Sequence, residues 1–129
     1  MTPLWLGLPL VISVHHEQLA EHGGPVGIRD IGRLDAALSR PKNLLAYGSP
    51  DIFDLAACYG HGICQAHAFV DGNKRVGITA AGLFLQLNGR RLVASHAELE
   101  SFTLSVARGE TDQAGMAAWF EQQSEPYHG

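Results

Sequence analysis

An apolar stretch over residues 76–87 most constrains the fold of this chain. Its apolar residues lie on nearly every side of a helix rather than on one stripe, so neighbours must cover most of that helix. Small residues within the stretch leave room for those neighbours to approach closely: Gly77, Ala80, Ala81 and Gly82. The sequence therefore predicts a buried helix from about Asn73 to Asn88, ended by Gly89, at the centre of a helical bundle.

Further helices are predicted around this central one. They run from His15 to His22, from Asp30 to just before Pro41, from Ser49 to about Ala66, from Ser95 to Gly109, and from Thr111 onwards. Capping and proline signals define several of these ends. The only plausible strand segments are Leu10–Ser13, Pro25–Ile28 and Arg91–Ala94. We therefore expect an all-α fold, a helical bundle around one buried central helix, in a single domain covering residues 1–129.

The composition excludes several classes of protein. The chain has 129 residues, of which 46% are hydrophobic and 17% charged, as in globular rather than disordered proteins. A net charge of −4 argues against direct binding of nucleic acid. The apolar segment Leu4–Val14 is too short to span a bilayer. Cys58 and Cys64 are too far apart on one predicted helix for a disulfide, so we expect buried thiols and a cytoplasmic protein.

Residues 67–75 read His-Ala-Phe-Val-Asp-Gly-Asn-Lys-Arg and lead directly into the central helix. Lys74 and Arg75 fall in its first turn, where the macrodipole disfavours cations and free N–H groups attract anions. Two cations at this end are expected if a polyanion, most simply a nucleotide phosphate, occupies the site. Gly72 allows the backbone to approach a phosphate closely, and the Asn73 side-chain amide can donate a hydrogen bond to the same phosphate.

The same loop carries groups suited to phosphoryl transfer. His67 has an imidazole that titrates near neutrality and can take a proton from an attacking hydroxyl. Asp71 can hold a Mg²⁺ ion that bridges phosphate oxygens, since Mg²⁺ needs only one or two carboxylates. Phe69, between them, is expected to point into the core. His61 is not expected to share a metal with His67. The remaining histidines are expected to be solvated or to cap helices: His15, His16, His22, His96 and His128.

The run from His67 to Arg75 resembles the signature of the Fic/Doc (Fido) superfamily, and specifically its Doc, or death-on-curing, branch. Upstream residues extend the resemblance over about residues 10–122: Gly23-Gly24, Gly27-Ile28-Arg29-Asp30, Leu34, Ala37-Leu38 and Arg40-Pro41. The chain departs from the Fic pattern, which has glycine in place of Lys74 and a second arginine in place of Ile78. Both departures favour the Doc-like activity over transfer of AMP.

The resemblance implies a toxin that transfers the γ-phosphate of ATP to a threonine of a translation factor, elongation factor Tu. It also implies His67 as the base, Asp71 as the Mg²⁺ ligand, and Gly72, Asn73, Lys74 and Arg75 as the ATP-binding residues. A flap at Gly24–Asp30 would align the protein substrate. Ser13 and Glu17 have the spacing of an internal inhibitory helix, but Gln18 breaks that pattern. The resemblance therefore implies a Phd-like antitoxin whose disordered tail folds on binding.

Two alternative functions remain open at this stage. The first is a Fic-type adenylyltransferase, which transfers the AMP part of ATP instead of the γ-phosphate. The second is a catalytically silent binding module, against which the intact His67 and Asp71 argue. The antitoxin groove is expected among the N-terminal helices near the flap, with Leu19, Leu44 and Leu45 as candidates.

Overall fold

Six helices and two short strands make up the part of the chain that the structure describes. The structure is a computed structural model and describes residues 2–25 and 27–129. In chain order the elements are α1 (Leu8–His22), α2 (Ile31–Tyr47), α3 (Ile52–Ala66), α4 (Asn73–Leu87), β1 (Arg90–Leu92), α5 (His96–Ala107), α6 (Gln113–Gln122) and β2 (Ser124–Pro126). The predicted all-α fold is confirmed, since the strands form only a two-stranded sheet.

Helices α3 and α4 pack against each other at the centre of this fold. They approach closely because neither Gly60 nor Gly77 carries a side chain: a Cβ on Gly77 would lie 2.7 Å from both the Gly60 carbonyl oxygen and the Cys64 sulfur. The predicted bounds of α4 are confirmed to within one residue at its end. Thr79 and Gln86 of α4 are exposed, whereas α3 is buried along most of its length. The two helices therefore share the centre of the bundle.

The prediction of a strand at Leu10–Ser13 is wrong, because these residues belong to α1. Pro9 lies in the first turn of α1, where proline is well tolerated. Val11 and Val14 are both buried, at the spacing of one helix face. The predicted end at His22 is confirmed, and no helix in the two described ranges is long and apolar enough to cross a membrane.

Two predicted helix ends on the next helices are also corrected. Asp30 caps α2 as expected, accepting a hydrogen bond from the Arg33 N–H at 3.0 Å, but the helix continues past Pro41 to Tyr47. Pro41 is buried inside α2, and burial against the core offsets the hydrogen bond that a proline removes. Helix α3 is capped by Asp51 rather than by Ser49, and it ends at Ala66 as predicted.

The C-terminal part closes the bundle with α5, α6 and the small sheet. Ser95 and Glu98 form the predicted capping box of α5. Helix α6 is capped by Asp112, one residue beyond the predicted Thr111. The strand predicted at Arg91–Ala94 is confirmed in part as β1, which begins one residue earlier and pairs antiparallel with β2. We did not predict β2, whose short polar sequence carries no strand signal of its own.

Both cysteines are free and buried, as expected. Burial raises the pKa of the Cys64 thiol to about 11, and the nearby Lys74 charge opposes that rise. The Cys64 sulfur donates a hydrogen bond to the Lys74 carbonyl oxygen at 3.7 Å. This thiol is therefore a packing group between α3 and α4 rather than a nucleophile.

Candidate active site

Six residues, 67–72, connect the two central helices and form the candidate catalytic loop, called the catalytic loop below. His67 ends α3 in the left-handed conformation, with φ 49° and ψ 39°, and is the only non-glycine residue with positive φ in the described ranges. Backbone strain of this kind is found most often at functional sites. The His67 side chain is exposed, so its imidazole is open to a substrate.

Phe69 anchors the catalytic loop to the core, as predicted. Its side chain is fully buried, and its backbone is held by the side chain of Asn73. The Phe69 N–H donates to Asn73 Oδ1 at 3.1 Å, and Asn73 Nδ2 donates to the Phe69 carbonyl oxygen at 3.0 Å. These two bonds fix the loop between His67 and Asp71. The Asn73 amide, which we expected to serve a phosphate, thus has a structural role in shaping the loop.

Helix α4 begins without the groups that usually stabilise such a terminus. Its N-cap is Gly72, with φ 81° and ψ 15°, and no side chain caps the helix. The first turn contains no acidic residue, and the first helical hydrogen bond runs from the Val76 N–H to the Gly72 carbonyl oxygen. The N–H groups before Val76 are therefore available to an anion, next to Lys74 and Arg75.

One cavity of about 400 Å³ brings the predicted site residues together. All six line it: His67, Asp71, Gly72, Asn73, Lys74 and Arg75. Arg29 lines the same cavity from the connection between α1 and α2. A larger cavity of about 770 Å³ lies between α5 and α6, but Glu98, Glu110 and Asp112 line it and no cation does. The lining charges of the first cavity suit a phosphate group, whereas those of the second do not.

Part of the predicted flap lies alongside the catalytic loop. The Val70 N–H donates to the Gly27 carbonyl oxygen at 3.1 Å, and the Arg29 N–H donates to the Ala68 carbonyl oxygen at 2.6 Å. Ile28 forms an isolated antiparallel bridge with Phe69. The strand predicted at Pro25–Ile28 is reduced to this bridge in the described residues, and Val26 lies outside them.

The comparison with protein families agrees with this geometry. Residues 5–85, which include α1 to α3, the catalytic loop and most of α4, match the model of the Fic/DOC family. This chain belongs to the Fic/Doc family. The family assignment made from the sequence is confirmed. The residues that carried it, 67–75, are the ones that form the loop and the helix start described above.

Two relatives support the Doc branch of the family. The "Protein kinase doc" of Escherichia phage P1 is 33% identical over 108 residues, which cover 83% of this chain and 85% of the phage protein. The "Toxin Doc" of Mycolicibacterium smegmatis is 44% identical over 75 residues, covering 56% of this chain and 57% of that protein. The similarity to the phage protein supports a Fido-type protein kinase.

Asp71 is the one acidic side chain among the described residues that line the cavity. Its side chain is exposed on the cavity, and within residues 2–25 and 27–129 it makes no ion pair and belongs to no cluster of three metal-binding side chains. A Cβ on Gly24 would lie 2.8 Å from Asp71 Oδ2, so the missing side chain of Gly24 leaves the space that this carboxylate needs. One carboxylate completed by phosphate oxygens and water suits Mg²⁺.

The prediction that His15 is solvated or caps a helix is wrong. Its side chain is 1% exposed and stacks on Phe69 with the ring centroids 4.0 Å apart. Neither ring nitrogen has a hydrogen-bond partner among the described residues. Burial lowers the pKa of His15, while the backbone and charge of Asp71 act in the opposite direction. The spacing from Val11 places His15 on the buried face of α1 once the true start of that helix is known.

Arg29 is the residue of this site to which the sequence assigned no role. It appeared only within the family pattern and the expected flap Gly24–Asp30, and no local signal connects it with His67, which is far away in the chain. The hydrogen bond to Ala68 brings the two together. Only the tertiary structure therefore identifies Arg29 as a part of the cavity.

Proposed function

We propose that this protein is a Doc-type toxin, a protein kinase that uses ATP and Mg²⁺ to phosphorylate a threonine of a translation factor of the elongation factor Tu class. One observation carries the proposal: His67, Asp71 and two cations from the first turn of α4 line a single cavity. A base, a metal-binding carboxylate and an anion-binding helix end are the groups that phosphoryl transfer requires.

In the proposed reaction, a ring nitrogen of His67 takes the proton of the acceptor hydroxyl. The hydroxyl oxygen forms a bond to the γ-phosphorus while the bond between that phosphorus and the bridging β–γ oxygen breaks, and ADP leaves. Lys74, Arg75 and the free N–H groups of α4 stabilise the charge on the phosphate oxygens. A Mg²⁺ ion held by Asp71 would neutralise charge that develops on the β- and γ-phosphates.

The position of Ile78 supports transfer of the γ-phosphate over transfer of AMP. Its side chain is 3% exposed and packs in the core, so this position offers no cation to a triphosphate. Lys74 likewise adds a side chain where the Fic pattern has glycine. Adenylyl transfer is the second candidate function, because the rest of the loop would serve either reaction.

Labelling with α- or γ-labelled ATP distinguishes the two reactions. We expect label in the protein substrate only from γ-labelled ATP, and no transfer by the His67→Ala variant at an unchanged melting temperature. Label from α-labelled ATP would show adenylyl transfer instead. A folded His67→Ala variant with wild-type activity would exclude His67 as the base, and mass spectrometry of labelled elongation factor Tu would test the threonine assignment.

The proposed Mg²⁺ site has a test that does not depend on turnover. Gly23 and Gly24 both have positive φ, at 72° and 118°, so alanine strains either position. Only at Gly24 would the new Cβ meet Asp71 Oδ2, whereas a Cβ at Gly23 has nothing within 4 Å. Calorimetry with Mn²⁺ and ADP should show about 10- to 100-fold weaker metal binding for Gly24→Ala than for Gly23→Ala. Equal affinities would exclude a carboxylate-held metal at this position.

The proposed partner is a Phd-like antitoxin whose tail folds onto the toxin. The family resemblance and the toxin name of the mycobacterial relative support it. Leu44 lines a cavity with Pro50 and Ala117 that Leu19 does not line, and Leu19 lies beside Gly24 instead. Expression in growing bacteria should require a neighbouring small open reading frame, and His67→Ala should remove that requirement. Harmless expression of the intact protein alone would exclude a toxin.

A further inference from the structure

Arg29 has a backbone position that the catalytic loop determines. Its N–H and the N–H of Asp30 both donate to the Ala68 carbonyl oxygen, at 2.6 Å and 3.0 Å. Ala68 follows His67 directly in the chain and is fully buried. The backbone of Arg29 is thus held beside Ala68, the neighbour of the proposed base, and it belongs to the connection between α1 and α2 rather than to α4.

The guanidinium of Arg29 has no partner within residues 2–25 and 27–129. Arg29 is exposed and makes no ion pair there. The adjacent carboxylate of Asp30 is engaged elsewhere: it accepts from the Arg33 N–H at 3.0 Å and lies 3.5 Å from Arg33 Nε. A cation that makes no ion pair with its neighbouring acid and lines a cavity is available to an anionic ligand.

The charges around the cavity favour such a ligand. Arg29, Lys74 and Arg75 all line it, and Asp71 is the only acidic side chain among its lining residues. The chain as a whole carries a net charge of −4, so this excess of cations is local. Three cations and one carboxylate give the cavity a positive potential, which attracts an anion.

We propose that Arg29 is a third phosphate-binding cation and contacts the phosphoryl group that is transferred. The inference rests on the proposed function. Lys74 and Arg75 approach from the first turn of α4, whereas Arg29 approaches from the side of the base, where the acceptor hydroxyl meets the γ-phosphorus. A guanidinium presents two parallel N–H donors to phosphate oxygens, and such a group stabilises the charge that develops during transfer.

The kinetic test compares Arg29→Gln with Arg33→Gln as a matched control. Both arginines are exposed, but Arg33 is paired with Asp30 and does not line the cavity. We expect Arg29→Gln to lower kcat about 100-fold or more, and Arg33→Gln to leave it unchanged. Arg29→Lys should recover only part of the rate, because lysine restores the charge without the paired donors. A kcat within about 3-fold of wild type for Arg29→Gln would overturn the proposal.

The binding test separates this proposal from the proposed function. In the His67→Ala background, calorimetry with ATP and with ADP measures binding without turnover. We expect Arg29→Gln to weaken ATP binding more than ADP binding, because only ATP carries the γ-phosphate. An equal effect on both nucleotides, no nucleotide binding, or a rise only in the KM of the protein substrate would overturn the assignment. If the protein binds ATP but transfers no γ-phosphate, the proposed kinase function is wrong. The effect of Arg29→Gln on ATP binding relative to ADP binding still decides whether Arg29 contacts the γ-phosphate.

Discussion

Helices α3 and α4 pack against each other, yet their N-termini are built in opposite ways. Helix α3 starts with a capping box in which the Asp54 N–H donates to Asp51 Oδ1 at 2.8 Å and the Asp51 N–H donates to Asp54 Oδ2 at 2.9 Å. Helix α4 starts at Gly72 with no side-chain cap and with Lys74 and Arg75 in its first turn. The first terminus complements the helix macrodipole, whereas the second opposes it.

The difference separates a terminus that stabilises the fold from one that is kept open for a ligand. Acidic side chains at the start of α3 occupy the free N–H groups and neutralise the positive end of the dipole. At α4 the same groups remain available, and added cations increase the positive potential. The α4 terminus is therefore suited to bind an anion, whereas side-chain acceptors already occupy the α3 terminus.

The sharpest test of this contrast gives α4 the acidic residue that α3 already has. Lys74→Glu should lower kcat/KM for phosphate transfer by about 10²- to 10³-fold, because a carboxylate replaces a cation at the phosphate site. The same change should raise the free energy of unfolding by about 0.3–1 kcal/mol, since it now complements the dipole. Urea unfolding and a transfer assay measure the two effects.

Lys42→Glu, an exposed change of equal charge on α2, serves as the control for net charge. We expect it to leave transfer unchanged. A Lys74→Glu variant that is both active and less stable than wild type would contradict the interpretation of the α4 terminus.

The second test concerns Asn73, which holds the loop before α4 from a buried position. Asn73→Ala removes both hydrogen bonds to the buried Phe69 backbone, so we expect a loss of about 2–4 kcal/mol in the free energy of unfolding. Asn73→Asp keeps the acceptor for the Phe69 N–H and should be less destabilising. Urea unfolding of both variants provides the measurement. A loss below about 0.5 kcal/mol for Asn73→Ala would show that these bonds do not hold the loop.

The third test removes the cap of α3. Asp51→Ala should lower the free energy of unfolding by about 1 kcal/mol, because the exposed terminus loses its side-chain acceptor. Phosphate transfer should stay within about 3-fold of wild type, since Asp51 is outside the cavity. Ser95→Ala, which removes the equivalent cap of α5, should behave alike in both assays. A strong loss of transfer in folded Asp51→Ala alone would contradict the assignment of α3 to stability.

The smallest expected effect lies beneath the loop, where His15 supports Phe69. Burial lowers the pKa of His15 from its ordinary value of 6.5, despite the opposing effect of Asp71. Below that value the unfolded chain binds a proton at His15 more readily than the folded protein, so stability falls as the pH falls. His15→Phe keeps the stacked ring and should make the fall in stability below about pH 6.5 less steep.

Unfolding curves at several pH values measure this slope. The neighbouring His16 lowers the pKa of His15 further. The pKa of the partly buried His61 is also lowered, so the stability of the variant should still depend on pH to a smaller extent. Identical slopes in His15→Phe and in the wild type would contradict the interpretation.

Prediction from sequence was most accurate where the decisive signals are local. The bounds of α4, the capping box at Ser95 and the anchor at Phe69 all depend on neighbouring residues, and all three were confirmed. The errors fall where tertiary packing outweighs local preference, as at the strand expected in α1 and at Pro41 inside α2. Local propensity is a weak prior, and burial of an apolar face routinely overrides it.

The sequence by itself determined the family, the central helix and the nine consecutive residues from His67 to Arg75, because these depend on spacing within one turn and one loop. Only the tertiary structure decided what surrounds that loop. Arg29 beside Ala68, Gly24 against Asp71 and His15 under Phe69 come from segments distant in the chain. Their placement results from packing and from hydrogen bonds between two backbones, and neither of these leaves a periodic signal in the sequence.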